Sequence, residues 1–161
     1  ELAKTFQREL YLKIFNGEPF ADYVRNIVTQ TSAGQLDHLL VYRKRIRRQL
    51  DHYVKNVPPH VKAARLADDI NKINKQPLKY QQRGWIEYLI TTSGPQAKGY
   101  VNAPLDYQFY IDRQLATVAD AILPFVGSFL MVDGYSNDVV LLAVSTCARS
   151  HGLMVISCQD K

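Results

Sequence analysis

Basic side chains crowded into one short stretch are the residues of this sequence best suited, by type and spacing, to bind a ligand. Residues 43–65 contain eight lysines or arginines and a single acid, Asp51, so their formal charge is +7, whereas the whole chain carries +5. Lysine and arginine neutralise phosphates and release the counterions condensed around a nucleic acid, and a field of one sign attracts polyanions. The stretch therefore indicates a nucleic-acid surface, with no signal for base sequence.

A solvated helix face is the alternative interpretation, because runs of charge commonly lie on exposed helices. Apolar residues at helical spacing among the charges favour a fixed surface, since they can anchor one face in a core while the basic side chains project from it. These apolar residues are Ile46, Leu50, Tyr53 and Val54. We expect a strand over residues 39–42 and then a helix over about residues 47–56, which ends before Pro58.

Pro58 and Pro59 are suited to start a further helix, because the N–H groups of a first helical turn have no partner within the helix. The buried stripe of this helix is expected to consist of Ala63, Leu66, Ile70 and Ile73. Lys62 and Arg65 would lie on the opposite face, near the end of the helix whose dipole favours phosphate. The basic surface is thus expected to extend onto this helix.

The rest of the chain predicts an α+β fold that is mainly helical. Apolar residues spaced by four predict a helix from Leu2 to Phe15, and a second helix is expected to open at Pro19. Residues 85–92 alternate in polarity as a strand does, and the residues that follow, 93–95 and 99–104, are expected to form a loop. A long last helix then follows, with Asp106 as its expected N-cap.

Four segments carry a resemblance to a known family. The sequences YRKRIRR at residues 42–48 and NVPPHVKAAR at residues 56–65 resemble the thumb domain of bacterial family B DNA polymerases. The sequence GWIEYLITTSGP at residues 84–95 looks like the short thumb strand of that family. Residues 104–125, from PLDYQFYIDRQL to ILPF, look like its last long helix. The resemblance is collinear over roughly residues 2–127.

This resemblance implies a polymerase thumb domain over residues 1–127, mainly helical (α+β) with a small antiparallel β element. Residues 128–161 form a C-terminal tail that does not resemble the family and is expected to be packed or extraneous. The implied function is that of a fragment of a DNA-directed DNA polymerase, a nucleotidyltransferase of replication and repair. Its thumb would grip the primer–template duplex through backbone phosphates, without reading bases. The implied DNA-binding residues are Tyr42, Arg43, Lys44, Arg45, Arg47, Arg48, His60, Lys62 and Arg65.

The implied partners are primer–template DNA and the remaining polymerase domains, in particular the palm. The catalytic carboxylates of the family precede the matched region, so we expect no catalytic residue, metal ligand or cofactor in this fragment, and no polymerisation by it alone. Mg²⁺ is expected for the longer polymerase. The C-terminal motif with which the family binds a sliding clamp has no counterpart here, which puts clamp binding in doubt. Because the chain starts inside a predicted helix without Met, we expect a fragment of a longer protein.

Other kinds of site find little support in the sequence. The four histidines and the cysteines Cys147 and Cys158 lack metal-ligand spacing, and the adjacent acids Asp68 and Asp69 are expected to lie on a solvated helix face. No apolar run approaches the ~20 residues that span a bilayer, and no signal peptide is recognised, so a cytoplasmic, nucleoid-associated location is expected. Two alternatives stay open: a basic helical protein associated with RNA or ribosomes, and a degenerate scaffold that binds no nucleic acid.

Overall fold

The computed structural model describes residues 1–81 and 83–122 of the 161-residue chain. The described residues fall into two compact units. One unit contains residues 36–109 together with Glu1, and the other contains residues 2–35 together with the described residues from Tyr110 onward. The predicted tail, residues 128–161, lies outside the described residues, as do both cysteines.

Two helices, α1 (Leu2–Phe15) and α2 (Ala21–Ser32), belong to the second unit. Their buried side chains follow the predicted helical spacing and are Leu2, Phe6, Leu10, Val24, Ile27, Val28 and Thr31. Gly17 ends α1 with a φ of +67°, a conformation that glycine adopts without strain. Pro19 was expected to open α2, but the helix begins two residues later, after a buried Phe20.

A small antiparallel sheet and one helix organise the first unit. Strand β1 (Tyr42–Ile46) pairs with β2 (Gly84–Thr91), which pairs in turn with β3 (Gly94–Ala97). Both pairings are antiparallel and the strand order is β1-β2-β3. Helix α3 (Pro59–Ile73) packs on one face of this sheet. The mainly helical α+β fold and the small antiparallel β element that the sequence predicted are therefore confirmed.

Alanines form much of the contact between α3 and the sheet. The buried core of this unit consists of Ile46, Leu50, Val61, Ala63, Ala64, Ala67, Tyr80, Ile86, Tyr88 and Ala97. The predicted stripe is correct at Ala63 but wrong at Leu66 and Ile73, which are 38% and 80% exposed. Small side chains let a helix approach a strand closely, so the alanine face of α3 packs inward although its larger residues are more hydrophobic.

Strand β1 lies further along the chain than predicted. We expected a strand over residues 39–42, but Asp37–Leu39 is a 3₁₀ turn and the strand contains the basic residues Arg43, Lys44 and Arg45. In a helix, basic residues four positions apart would repel one another on one face. A strand rises about 3.3 Å per residue, so residues four positions apart lie further from one another than in a helix, and β2 supplies the backbone partners.

The helix predicted over residues 47–56 is wrong, because only the 3₁₀ turn Leu50–His52 forms there. In a helix the carbonyls of Leu50 and Tyr53 would accept N–H groups four residues on. They accept hydrogen bonds from the Arg65 guanidinium instead, at 2.6 and 2.9 Å. Val54, a predicted anchor, is consequently 81% exposed. Side-chain hydrogen bonds from α3 thus replace those of a local helix.

The segment after β2 was predicted as a loop, but it folds back as β3. Thr92 and Ser93 form the turn, and Gly94 follows with a φ of +104°, which favours glycine. Pro95 is compatible with this strand because β3 lies at the edge of the sheet and has one unpaired side. Residues 74–81 and 83, which connect α3 to β2, form neither helix nor strand.

The last described helix, α4, begins at Tyr107 and continues with helical backbone to Ile122. Asp106 caps it as predicted, since its Oδ1 accepts the N–H of Phe109 at 3.0 Å. The stretch Ile111–Ala116 is a π-helix rather than an α-helix. Within residues 1–81 and 83–122, the structure contains no helix that is both long and apolar enough to cross a membrane.

Candidate nucleic-acid interface

Strand β1 divides the basic cluster between the two faces of the sheet. Alternation along the strand places Tyr42, Lys44 and Ile46 on the face that α3 covers, and Arg43 and Arg45 on the opposite face. The three basic side chains are all exposed. Backbone pairing with β2 fixes the strand, so these charges are held by a scaffold and do not belong to a mobile tail.

The face of the sheet away from α3 carries an exposed group that we call the outer sheet surface. It consists of Arg43, Arg45, Trp85, Glu87 and Lys98. The Arg43 guanidinium lies 4.8 Å from the centroid of the Trp85 ring, a cation–π contact, and Arg45 is directly opposite Trp85 in the pairing of β1 with β2. Lys98 Nζ is 3.2 Å from Glu87 Oε2 and offsets the single acidic charge of this surface.

The face toward α3 ends in an aromatic cluster near the start of that helix. The rings of Tyr42 and Tyr88 stack with centroids 5.3 Å apart, and the His60 ring lies 6.4 Å from Tyr88. Partial burial, and then the positive charge of Lys44, lower the pKa of His60 below its ordinary value. The His60 imidazole is therefore mainly neutral at pH 7, and a phosphate beside it would favour its protonation.

Arg47 and Arg48 follow β1 in an extended turn, and both are exposed. Their backbone N–H groups each donate to the Tyr53 hydroxyl, at 3.3 Å in both cases. This shared acceptor holds the turn in place although the stretch is not helical. Its helical spacing with Ile46 and Leu50 predicts Tyr53 in a buried helix stripe, so this role differs from the one expected.

Two predicted contacts on α3, Lys62 and Arg65, differ in their surroundings. Lys62 is exposed, whereas Arg65 is partly buried. Arg65 Nη2 donates to two backbone carbonyls and so fastens the Leu50–His52 turn to α3. A guanidinium has five N–H donors, so Arg65 retains donors beyond these two bonds. Arg65 thus has a structural role in the fold, and its role in DNA binding stays a prediction.

Asp68 occupies a buried position that the sequence analysis did not foresee. Only 3% of it is exposed, so the prediction of a solvated acidic pair is wrong for Asp68 and correct for its exposed neighbour Asp69. The Asp68 carboxylate accepts hydrogen bonds from the backbone N–H groups of Lys79 and Tyr80, at 2.8 and 3.1 Å, and from the side-chain amide of Gln81. It holds residues 79–81 of the connection between α3 and β2.

Trp85 is the site residue that the sequence analysis missed. Its position in the alternating pattern of β2, beside Glu87 on the less buried face, was the available signal. What could not be inferred was the pairing that brings it against Arg43 and Arg45. Among residues 1–81 and 83–122, no group of three or more His, Cys, Asp or Glu side chains is arranged to hold a metal ion.

Sequence comparison relates this chain to DNA polymerases. No family model matches the chain. The chain is 55% identical over 125 residues to DNA polymerase II of Escherichia coli, a match that covers 78% of this chain and 16% of that polymerase. It is 34% identical over 138 residues to DNA polymerase 2 of Aeropyrum pernix, which covers 79% of this chain and again 16% of the relative.

The chain thus spans 16% of the length of each of these two relatives. The homology supports the interpretation of this chain as a fragment of a family B DNA polymerase. It does not favour the two alternatives, a protein associated with RNA or ribosomes and a scaffold that binds no nucleic acid.

Proposed function

We propose that this chain is the thumb of a family B DNA polymerase and grips the primer–template duplex through backbone phosphates. The observation that carries the proposal is strand β1, where three consecutive exposed basic residues are fixed by pairing with β2. A polymerase must accept every template sequence, so contacts to phosphate suit this task and contacts to base edges do not. The nine residues named from the sequence are the proposed contacts.

The β1 side chains are suited to phosphates because no acidic side chain neutralises their charge among the described residues. Among the residues that the structure describes, none of Arg43, Lys44 and Arg45 makes an ion pair with an acid. A charge that is already solvated, and not paired, neutralises a phosphate without first losing a salt bridge. Arg47, Arg48 and Lys62 are likewise exposed.

The function of the whole protein follows the same proposal. It would be a DNA-directed DNA polymerase of replication and repair in the cytoplasm, associated with the nucleoid, with Mg²⁺ held by carboxylates in the palm. We propose that the isolated chain binds DNA, does not extend a primer and does not bind a sliding clamp.

The test is binding of the purified 161-residue chain to labelled primer–template DNA across a salt series, with duplex RNA of the same sequence as the comparison. We expect binding that is insensitive to DNA sequence and weakens steeply with salt. The slope of log K against log salt would reach about −6 if all seven proposed basic contacts meet phosphates.

Failure to bind primer–template DNA at low salt would contradict the proposal. A clear preference for duplex RNA would support the RNA-associated alternative in its place. Strong discrimination between two DNA sequences of equal length would also count against it, because phosphate contacts carry no sequence information directly.

A further inference from the structure

The outer sheet surface combines an exposed aromatic ring with arginines, and that combination is suited to unpaired nucleotides. Trp85 is 57% exposed, although tryptophan is highly buried on average in folded proteins. It lies on a paired strand, so the backbone holds the ring at a fixed position on the surface. A duplex presents its phosphates outward and keeps its bases stacked inside, so its paired bases cannot stack on this ring.

We propose that the outer sheet surface binds single-stranded DNA, with an unpaired base stacked on Trp85 and the flanking phosphates held by Arg43 and Arg45. Nucleic-acid sites for single strands combine aromatic platforms with positive charge along the backbone path. Arg43 already lies against the indole at 4.8 Å, and Arg45 faces Trp85 across the strand pair. Trp85 thus has one arginine against its ring and a second as its cross-strand neighbour.

The net positive charge of this surface favours binding of a polyanionic single strand. Its only acid, Glu87, is paired with Lys98 at 3.2 Å, which leaves the two arginines uncompensated among the described residues. The exposed area is limited to the end of the sheet near β1. Further along the same face, Leu89, Gln96 and Thr91 are each less than 9% exposed. Such a short platform fits one or two stacked bases.

This binding mode differs from the duplex grip in one residue, Trp85, which is not among the proposed duplex contacts. It would give the chain a place for unpaired template or a frayed primer strand beside the duplex. Arg43 and Arg45 are shared by both modes. Trp85 is therefore the residue that separates the two.

The experiment uses the intrinsic fluorescence of Trp85, which is the only tryptophan of the chain. The full chain is titrated with an oligothymidine, with a DNA duplex of equal length, and with an abasic oligomer that has the same phosphates and no bases. We expect the oligothymidine to quench the fluorescence. The duplex is expected to bind, as measured by anisotropy of a label on the DNA, with little quenching.

The abasic oligomer separates stacking from charge. We expect it to bind more weakly than the oligothymidine and without quenching, because the phosphates remain while the stacked base is lost. Equal binding of the two single strands would overturn the proposal. Absence of quenching by the oligothymidine would also overturn it, and that result needs no variant that could fail to fold.

Substitutions provide the second readout. Trp85→Leu should weaken oligothymidine binding by about 5- to 150-fold, the range for loss of one stacked base, and weaken duplex binding by a smaller factor, because for the duplex only the cation–π contact that holds Arg43 is lost. Trp85→Phe should restore most of the affinity because it keeps an aromatic face. The matched control is Phe15→Leu, which removes an aromatic side chain that is 83% exposed on α1 and should change neither affinity.

The outcomes distinguish this inference from the proposed function. If duplex binding is retained while Trp85→Leu binds the oligothymidine as wild type does, the stacking site is wrong and the duplex grip stands. If the oligothymidine quenches Trp85 while the duplex does not bind, the duplex grip is wrong and the single-strand site stands.

Discussion

Strand β1 and helix α3 both carry charged residues that the sequence alone does not distinguish, but these residues differ in exposure and in hydrogen-bond partners. On β1, Arg43, Lys44 and Arg45 are exposed and make no ion pair within the described residues. On α3, Arg65 and Asp68 are turned toward the protein, where they bind backbone groups of the preceding turn and the following connection. The first set is available for a ligand, whereas the second holds segments of chain in place.

The difference shows that charge density by itself does not identify a binding residue. A charged side chain that satisfies buried backbone groups is costly to remove, because those groups lose their partner away from water. An exposed charge contributes little to stability and is available for a counter-ion. We therefore expect β1 substitutions to affect binding and α3 substitutions at Arg65 and Asp68 to affect folding first.

The largest expected effect is on DNA binding, from the combined change Arg43→Gln, Lys44→Gln and Arg45→Gln. Loss of three phosphate contacts should lower affinity for primer–template DNA by roughly several hundred-fold near 0.1 M salt and make the salt slope less steep by about 2.7. Both quantities are measured by anisotropy titration. The free energy of unfolding should change little, because the three side chains are exposed.

The control for that variant removes three other exposed or partly exposed charges, with Arg8→Gln, Lys13→Gln and Arg25→Gln on α1 and α2. It changes the net charge equally but leaves β1 intact. Equal losses of affinity in the two triple variants would mean that the total charge matters and the position of β1 does not.

Asp68→Ala should have the largest effect on stability, lowering the free energy of unfolding by about 2–4 kcal/mol. The substitution leaves the N–H groups of Lys79 and Tyr80 without their acceptor. Urea unfolding measures the loss, and hydrogen exchange should show that these two amides lose protection. Asp69→Ala is the matched control and should stay within about 0.5 kcal/mol of wild type. Similar losses from both substitutions would contradict the structural role of Asp68.

Arg65→Met and Lys62→Met compare two basic residues of the same helix. Arg65→Met should lower the free energy of unfolding by about 1.5–3 kcal/mol, because two carbonyls lose a charged donor. Lys62→Met should leave stability unchanged and reduce the salt slope by about 0.9 if Lys62 contacts a phosphate. The distinction between the two residues fails if Arg65→Met leaves stability intact and lowers only the slope.

The smallest expected effect concerns His60 and pH. Because its pKa is lowered in the folded chain, the neutral form is favoured, and stability that is present above the unfolded pKa of about 6.5 is lost as the pH falls. A phosphate near His60 favours the charged form instead, so DNA affinity should rise as the pH falls below 6.5, by less than about tenfold. His60→Gln should abolish this rise, whereas His52→Gln, at an exposed histidine, should preserve it.

Several elements could be predicted from local patterns. The apolar spacing of α1 and α2, the proline start of α3 and the Asp106 cap of α4 all depend on contacts within a few residues, and the structure confirms them. The strand at residues 85–92 was predicted because alternation of polarity is also a local signal. The basic cluster was found by composition alone.

The errors have a common cause in long-range contacts. The helix expected over residues 47–56 is replaced by a 3₁₀ turn because Arg65 binds its carbonyls from elsewhere in the chain. Strand β3 was missed because its partner is β2 and its proline made the segment look like a turn. Asp68 was predicted to lie on the surface because its partners, the backbone N–H groups of Lys79 and Tyr80, lie 11 and 12 residues further along the chain and no local pattern indicates the contact.

The sequence by itself determined which residues are charged, the approximate positions of α1, α2, α3 and α4, and which family the motifs resemble, since these depend on composition and on neighbours along the chain. Only the tertiary structure decided which charges are available. Pairing of β1 with β2 sets Arg43 and Arg45 beside Trp85, and packing of α3 directs Arg65 and Asp68 inward. The physical reason is that exposure and hydrogen-bond partners are properties of residues brought together from distant positions in the chain.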